Sequence, residues 1–272
     1  MSGQDGRLCV FDTREQRWLP RPVSPTSVGA ERGYYDYSAN AAPDATADQA
    51  FAELETKFPE IRREIVASGF VGWRHHLDFL LRYSQMLRAR SKLFRTEFFR
   101  NANAATLLRV EEVTGVRPSK TRPGGTDALI RYSLLQPQGA ERVTLLRNLS
   151  ITQMREEMKR GGGEFARRHW CLRFTRDVAH PVITADNAVV LVAFGIASRE
   201  EAALHPDTLL IFPVCWQACL IGRIAPIEPE TEELAPSSLP DLYKVYLKDA
   251  DSRFAYSPTR VADAACSVKA SG

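Results

Sequence analysis

Apolar and polar side chains alternate along Arg168–Gly195, RHWCLRFTRDVAHPVITADNAVVLVAFG, which predicts strands joined by tight turns. Trp170, Leu172 and Phe174 alternate with Cys171, Arg173 and Thr175, giving a strand with one apolar face. Val182-Ile183-Thr184 predicts a short second strand. The run from Val189, VVLVAF, is apolar on both faces and reads as a central strand. TLLIFPV and ACLIGRI continue the sheet, with Pro213 marking a strand end or a bulge. Asp186-Asn187 stands at the sharpest corner.

Upstream the period changes from two to that of a helix. Trp73, Leu77, Leu80, Leu87, Phe94 and Phe98 recur at helical spacing, predicting a long helix over about Trp73–Leu108. Phe79, Tyr83, Met86 and Leu93 widen the stripe, so much of its circumference is buried. A helix from near Asp48 precedes it, and Pro59 predicts a kink or break there, because proline removes a hydrogen bond and clashes with the previous turn. Gly6–Trp18 predicts a hairpin with DTREQ as its turn, and Pro20, Pro22 and Pro25 end it.

Other segments read more simply. SVGAERGYYDY is a polar loop entering a tyrosine cluster. Glu111–Gln138 is rich in Pro, Gly and basic residues and reads as a long loop. ALIRYSLLQ and RVTLLRNL fit strands or short helical pieces equally well. Ser150–Lys159 predicts a helix, with Ser150 and Gln153 as a capping box and Gly161-Gly162-Gly163 as its stop. Glu228–Pro240 is an acidic, proline-bearing surface segment. Asp241–Ala250 predicts a last helix, Phe254-Ala255-Tyr256 a closing strand, and the tail after Thr259 is loose.

Helices gathered upstream and strands downstream, with no βα alternation, predict an α+β fold. The expected architecture is a mainly antiparallel or mixed sheet from the C-terminal half, with the N-terminal hairpin added and helices packed on one face. A single domain over 1–272 is expected, with a helical layer at about 48–160 and a sheet-rich part at about 165–256 plus the hairpin at 6–19.

Composition adds little to this picture. The 272 residues are 44% hydrophobic and 25% charged, an ordinary globular balance with length enough for a core. A net charge of +3 is too small to argue for nucleic acid by itself. The five cysteines are odd in number and irregularly spaced, as expected of thiols in a reducing cytosol rather than a disulfide framework. No apolar run reaches transmembrane length and MSGQDGRLCVFD is no signal peptide, so a cytoplasmic protein without membrane attachment is expected.

Charge is uneven, however. Ile61–Val110 holds ten Lys/Arg against three Asp/Glu, which makes either a solvated basic face or a phosphate-facing surface. Gln85 and Arg88 lie one turn apart and share a helix face, and Arg90 falls near the apolar edge. A buried guanidinium needs a carboxylate partner, and Asp186 would supply one to Arg88 or Arg90. Asp186 and Asn187 suit a tight turn, and they equally suit a polar pair at a strand end facing a pocket.

Histidine and cysteine chemistry is weaker. His75-His76 are adjacent and so point to different faces, unlike an i, i+4 metal pair. His169 and His180 flank strand ends, as bases near Asp186 or as structural histidines. Cys215 and Cys219 sit in an apolar run with no second ligand pair, so no metal site is assigned. Gly124-Gly125 lacks the spacing of a phosphate-binding loop, and no G-x-S-x-G, H-E-x-x-H or dinucleotide fingerprint occurs. No cofactor is specified by these patterns.

The order of GRLCVFDTREQRW, SVGAERGYYDY, the helix with Gln85-x-x-Arg88, the Trp170 strand, PVITADNAVV, IFPV and ADSRFAYSP resembles the family DUF4238, a domain of unknown function. The likeness covers nearly the whole chain and rests on the order rather than on any one motif. It implies a fold and a pocket but no established reaction. The resemblance also implies a histidine- and proline-bearing leader before the hairpin, and Ser-Asp-Asn-Pro at the corner. Here the chain starts at the hairpin and the corner is Ala185-Asp186-Asn187-Ala188, so a shortened N-terminus or an altered activity is expected.

Two functions follow as expectations. One is an intracellular hydrolase of a phosphate-bearing or nucleic-acid substrate, with Asp186 and Asn187 catalytic and Gln85, Arg88 and Arg90 binding substrate. The other is a non-enzymatic binding module whose basic helix face engages an acidic partner.

Overall fold

In a computed structural model of the chain, the alternating stretches form two sheets rather than one. The structure describes residues 7–24, 45–91, 163–192, 205–249 and 254–258. The tyrosine loop, the helix beyond Ser91, the loop over 111–138, the hairpin-or-helix region, the capped helix at 150–159, the tail, and most of SREEAALHPD lie outside them.

The larger sheet contains β3 (His169–Phe174), β5 (Val190–Val192), β6 (Leu209–Cys215), β7 (Ala218–Arg223) and β8 (Thr231–Glu233), in the order β5-β6-β7-β3-β8. All its pairings are antiparallel except β3 with β8. The register of β6 and β7 shifts between Pro213 and Cys215, a bulge at the proline expected to mark one. The smaller sheet joins β1 (Cys9–Asp12), β2 (Arg17–Trp18), β4 (Thr184–Ala185) and β9 (Phe254–Ser257), in the order β2-β1-β9-β4. The N-terminal hairpin therefore builds on β9, rather than being added to the larger sheet.

Side-chain alternation sorts the core onto two faces of the larger sheet. Trp170, Leu172, Phe174, Leu210, Phe212 and Leu220 face one cluster, with Ile61, Ile65, Trp73 and Leu80 of the helical layer. Val190, Val192, Ile211 and Cys219 face another, with Phe11, Ala185 and Ala255 of the smaller sheet and Ile183 just before β4. That second face also takes Leu239 and Tyr243 from α4 (Leu239–Asp249), so helices lie on both sides. β5 is an edge strand among the described residues, not a central one. Its apolar character on both faces has a different cause: it is sandwiched between the helical layer and the smaller sheet.

The helical layer consists of α1 (Ala45–Ala67), a 3₁₀ turn (Gly72–His76) and α2 (Leu77–Ala89). Of the kink or break expected at Pro59, the break does not occur: α1 runs through it as one helix. Pro59 is exposed, so the carbonyl deprived of its N–H partner lies on the side where water can serve it. The end of α1 uses two left-handed residues, Gly69 (φ 64°) and Phe70 (φ 69°), and the Phe70 N–H returns to the Ile65 carbonyl at 2.9 Å. Phe70 accepts this backbone because its ring is buried and stacks on Phe174 at 4.6 Å.

Glu232 and Glu233 have poor strand propensity, and the residues of Thr231-Glu232-Glu233 are half-buried or exposed. Partners from neighbouring elements hold it in place. Trp73 Nε1 donates to Thr231 Oγ1 at 2.8 Å, and Arg173 pairs with Glu232 at 3.1 Å. A short α3 (Gly163–Ala166) enters β3, and the Trp170 indole N–H donates to the Phe165 carbonyl at 2.9 Å.

Candidate functional site

Asp186 and Asn187 occupy the step where the chain leaves the smaller sheet at β4 and enters the larger one at β5. The ladder of β4 on β9 continues one residue past β4: the Asp186 N–H donates to the Phe254 carbonyl at 3.1 Å. The carboxylate is fixed by the same strand. Phe254 N–H donates to Asp186 Oδ2 at 3.0 Å, and the Tyr256 hydroxyl donates to Oδ1. Thr184 lies opposite Tyr256 and Asp186 is two residues further on, so the Asp186 and Tyr256 side chains share one face. Burial, reinforced by the Asp186 carboxylate, pushes the Tyr256 phenol well above its ordinary range and keeps it a donor. Asp186 is exposed, whereas Asn187 is buried.

Three of the stretches carrying the family resemblance meet here. GRLCVFDTREQRW supplies β1 and β2, PVITADNAVV supplies β4 and the corner, and ADSRFAYSP supplies β9. Val10, Leu8 and Tyr256 form a small apolar cluster on this sheet, joined by Phe254 and Val23. Asp12, also buried, closes the hairpin by accepting the N–H groups of Arg14 at 2.9 Å and Glu15 at 3.1 Å.

The three helix residues expected to face Asp186 have other surroundings. Arg90 forms an ion pair with Glu55 of α1, and its guanidinium lies 5.4 Å from the Phe51 ring centre. Arg88 lies 5.9 Å from the Phe165 ring centre, beside α3. Gln85 is half-buried on α2, one turn before Arg88. The Asp186 carboxylate is held by Tyr256 and Phe254, and the expected ion pair to Arg88 or Arg90 is not formed. α2 packs against one face of the larger sheet, whereas the strands that hold Asp186 belong to the layer on the other.

The basic character of the helical layer is offset by α1. Over residues 51–91 seven Lys/Arg stand beside five Asp/Glu. Glu55 takes Arg90, Glu64 lies 3.1 Å from His76, and Arg74 reaches Glu230 beside β8. Arg82 is exposed on α2. Tyr83 stacks on Phe58 at 4.0 Å, and burial followed by the nearby Glu55 pushes its phenol up to about 12.

The histidines and cysteines are placed elsewhere. His180 Nδ1 meets Asp177 Oδ2 at 2.7 Å, and with the Ala179 N–H it holds the Asp177 carboxyl below its usual range. His169 and His75 are exposed. Cys215 packs on the helical side of the larger sheet and Cys219 on the opposite side, so the two thiols do not point at one ion. Among the described residues, no group of three or more His, Cys, Asp or Glu is arranged to hold a metal.

Sequence reasoning did not single out three features. Tyr256 is the partner of Asp186. Arg168 is a buried guanidinium whose Nη1 donates to the Thr208 carbonyl at 2.8 Å, with burial lowering its pKa. Gly222 lies opposite Trp170 on β7, where a Cβ would come within 2.8 Å of the indole. The alternation of FAYS carries the only local hint of the first, and nothing local marks the other two.

Two sheets with helices on either side define an α+β protein whose corner joins the sheets. Residues 2–262 match the family model DUF4238, described as Protein of unknown function, and the chain belongs to this family. No curated protein and no solved structure matches it. No helix among the described residues is long and apolar enough to cross a membrane.

Proposed function

We propose that the protein is a binding module that takes a phosphate-bearing partner, a small molecule or nucleic acid, along α2 through the exposed Arg82 and the half-buried Gln85 and Arg88. One observation carries this reading over a hydrolytic one. Both carboxylate oxygens of Asp186 already accept hydrogen bonds from β9, which gives Asp186 a structural use. Arg82 meanwhile presents its charge to solvent, one turn from Gln85. Guanidinium groups suit phosphate because their planar donor fork matches its oxygens. Arg90 takes no direct part, since it is occupied by Glu55 and Phe51.

A second reading keeps the hydrolase, with Asp186 as the positioned carboxylate beside Asn187. The exposed carboxylate and its two fixed donors favour it, since a working base must be held in one orientation. One set of variants separates the two. Binding of a fluorescent single-stranded oligonucleotide and of inorganic pyrophosphate is measured by anisotropy and calorimetry at several salt concentrations. Arg82→Glu and Arg88→Glu are expected to weaken binding severalfold and to flatten its salt dependence, while Asp186→Asn leaves it unchanged. Undiminished binding in both charge reversals overturns the binding site. Phosphoester hydrolysis by the wild type, lost in a fully folded Asp186→Asn, establishes the hydrolase instead.

A further inference from the structure

We draw no further inference here: the strongest candidate, the outer face of the smaller sheet where Val10, Phe254 and Tyr256 adjoin Asp186, belongs to the corner already described, and nothing among the described residues shows what covers it.

Discussion

The hydroxyl of Tyr256 donates to the carboxylate of Asp186 across 70 residues of sequence, and so ties the step between the two sheets to the closing strand. Because the same carboxylate accepts the Phe254 N–H, removing it leaves a backbone donor and a phenol to find new acceptors. Hydrogen bonds to charged groups contribute roughly 1.5–3 kcal/mol each. Tyr256→Phe is expected to destabilise the fold by about 1–2 kcal/mol, and Asp186→Ala by more. A double-mutant cycle in urea should give a coupling of about 1 kcal/mol or above. A coupling near zero would mean that the pair contributes only to geometry.

Tyr256 and Tyr83 are expected to make the stability of the protein sensitive to alkali. Tyr256 and Tyr83 both have folded pKa values raised above the ordinary value for tyrosine, Tyr83 to about 12. A raised pKa means that the folded state holds its proton more tightly than the unfolded chain. The resulting stability is complete below about pH 10, the unfolded value, and is lost as pH rises through the folded values. Urea midpoints measured from pH 8 upward should therefore fall beyond about pH 10. Tyr256→Phe should make that fall shallower, and an unchanged slope would rule out Tyr256 as a source.

Two glycines should respond to alanine for opposite reasons. At Gly69 the space is open but φ is +64°, so Gly69→Ala should cost about 1 kcal/mol from backbone strain alone. At Gly222 no such strain applies; the added Cβ meets the buried Trp170 ring at 2.8 Å. Gly222→Ala should cost roughly 1–3 kcal/mol, with part recovered when Trp170→Leu makes room. Failure of the second substitution to recover anything would place the strain outside that contact.

Cys171, Cys215 and Cys219 are buried thiols whose pKa values burial pushes up, whereas Cys9 is half-buried. Since the thiolate is the reactive form, brief alkylation at pH 8 followed by peptide mapping should label Cys9 well ahead of these three. Equal labelling in the native state would show that the larger sheet opens more readily than its packing implies.

Local pattern carried much of the fold. The hairpin appears where its turn residues placed it, and the alternation at Trp170-Leu172-Phe174 and the described part of the α2 stripe where periodicity placed them. Periodicity does not name a strand's neighbour, however. Thr184 reads the same whether it pairs with β6 or, as it does, with Tyr256 on β9. β8 was hidden because its stability comes from Trp73, Arg74 and Arg173 rather than from Thr231-Glu232-Glu233 itself. At the site, the corner at Asp186-Asn187 was legible from residue type, but its partner was not. The arginine pairing failed for a comparable reason: Glu55 on the adjacent helix takes Arg90.

The order β2-β1-β9-β4 also governs when this protein can finish folding. Cys9 pairs with Ser257 and Asp12 with Phe254, so the central ladder of the smaller sheet joins strands made at widely different times. At about 5–20 residues per second, a ribosome leaves β1 waiting for many seconds before β9 emerges. Until then β1 lacks the strand that pairs with it opposite β2, and Asp186 lacks the strand that holds it. Contacts so distant in sequence form late and slowly. The corner is thus among the last parts of the molecule to be locked, and a truncation before Phe254 would strand both the hairpin and the carboxylate.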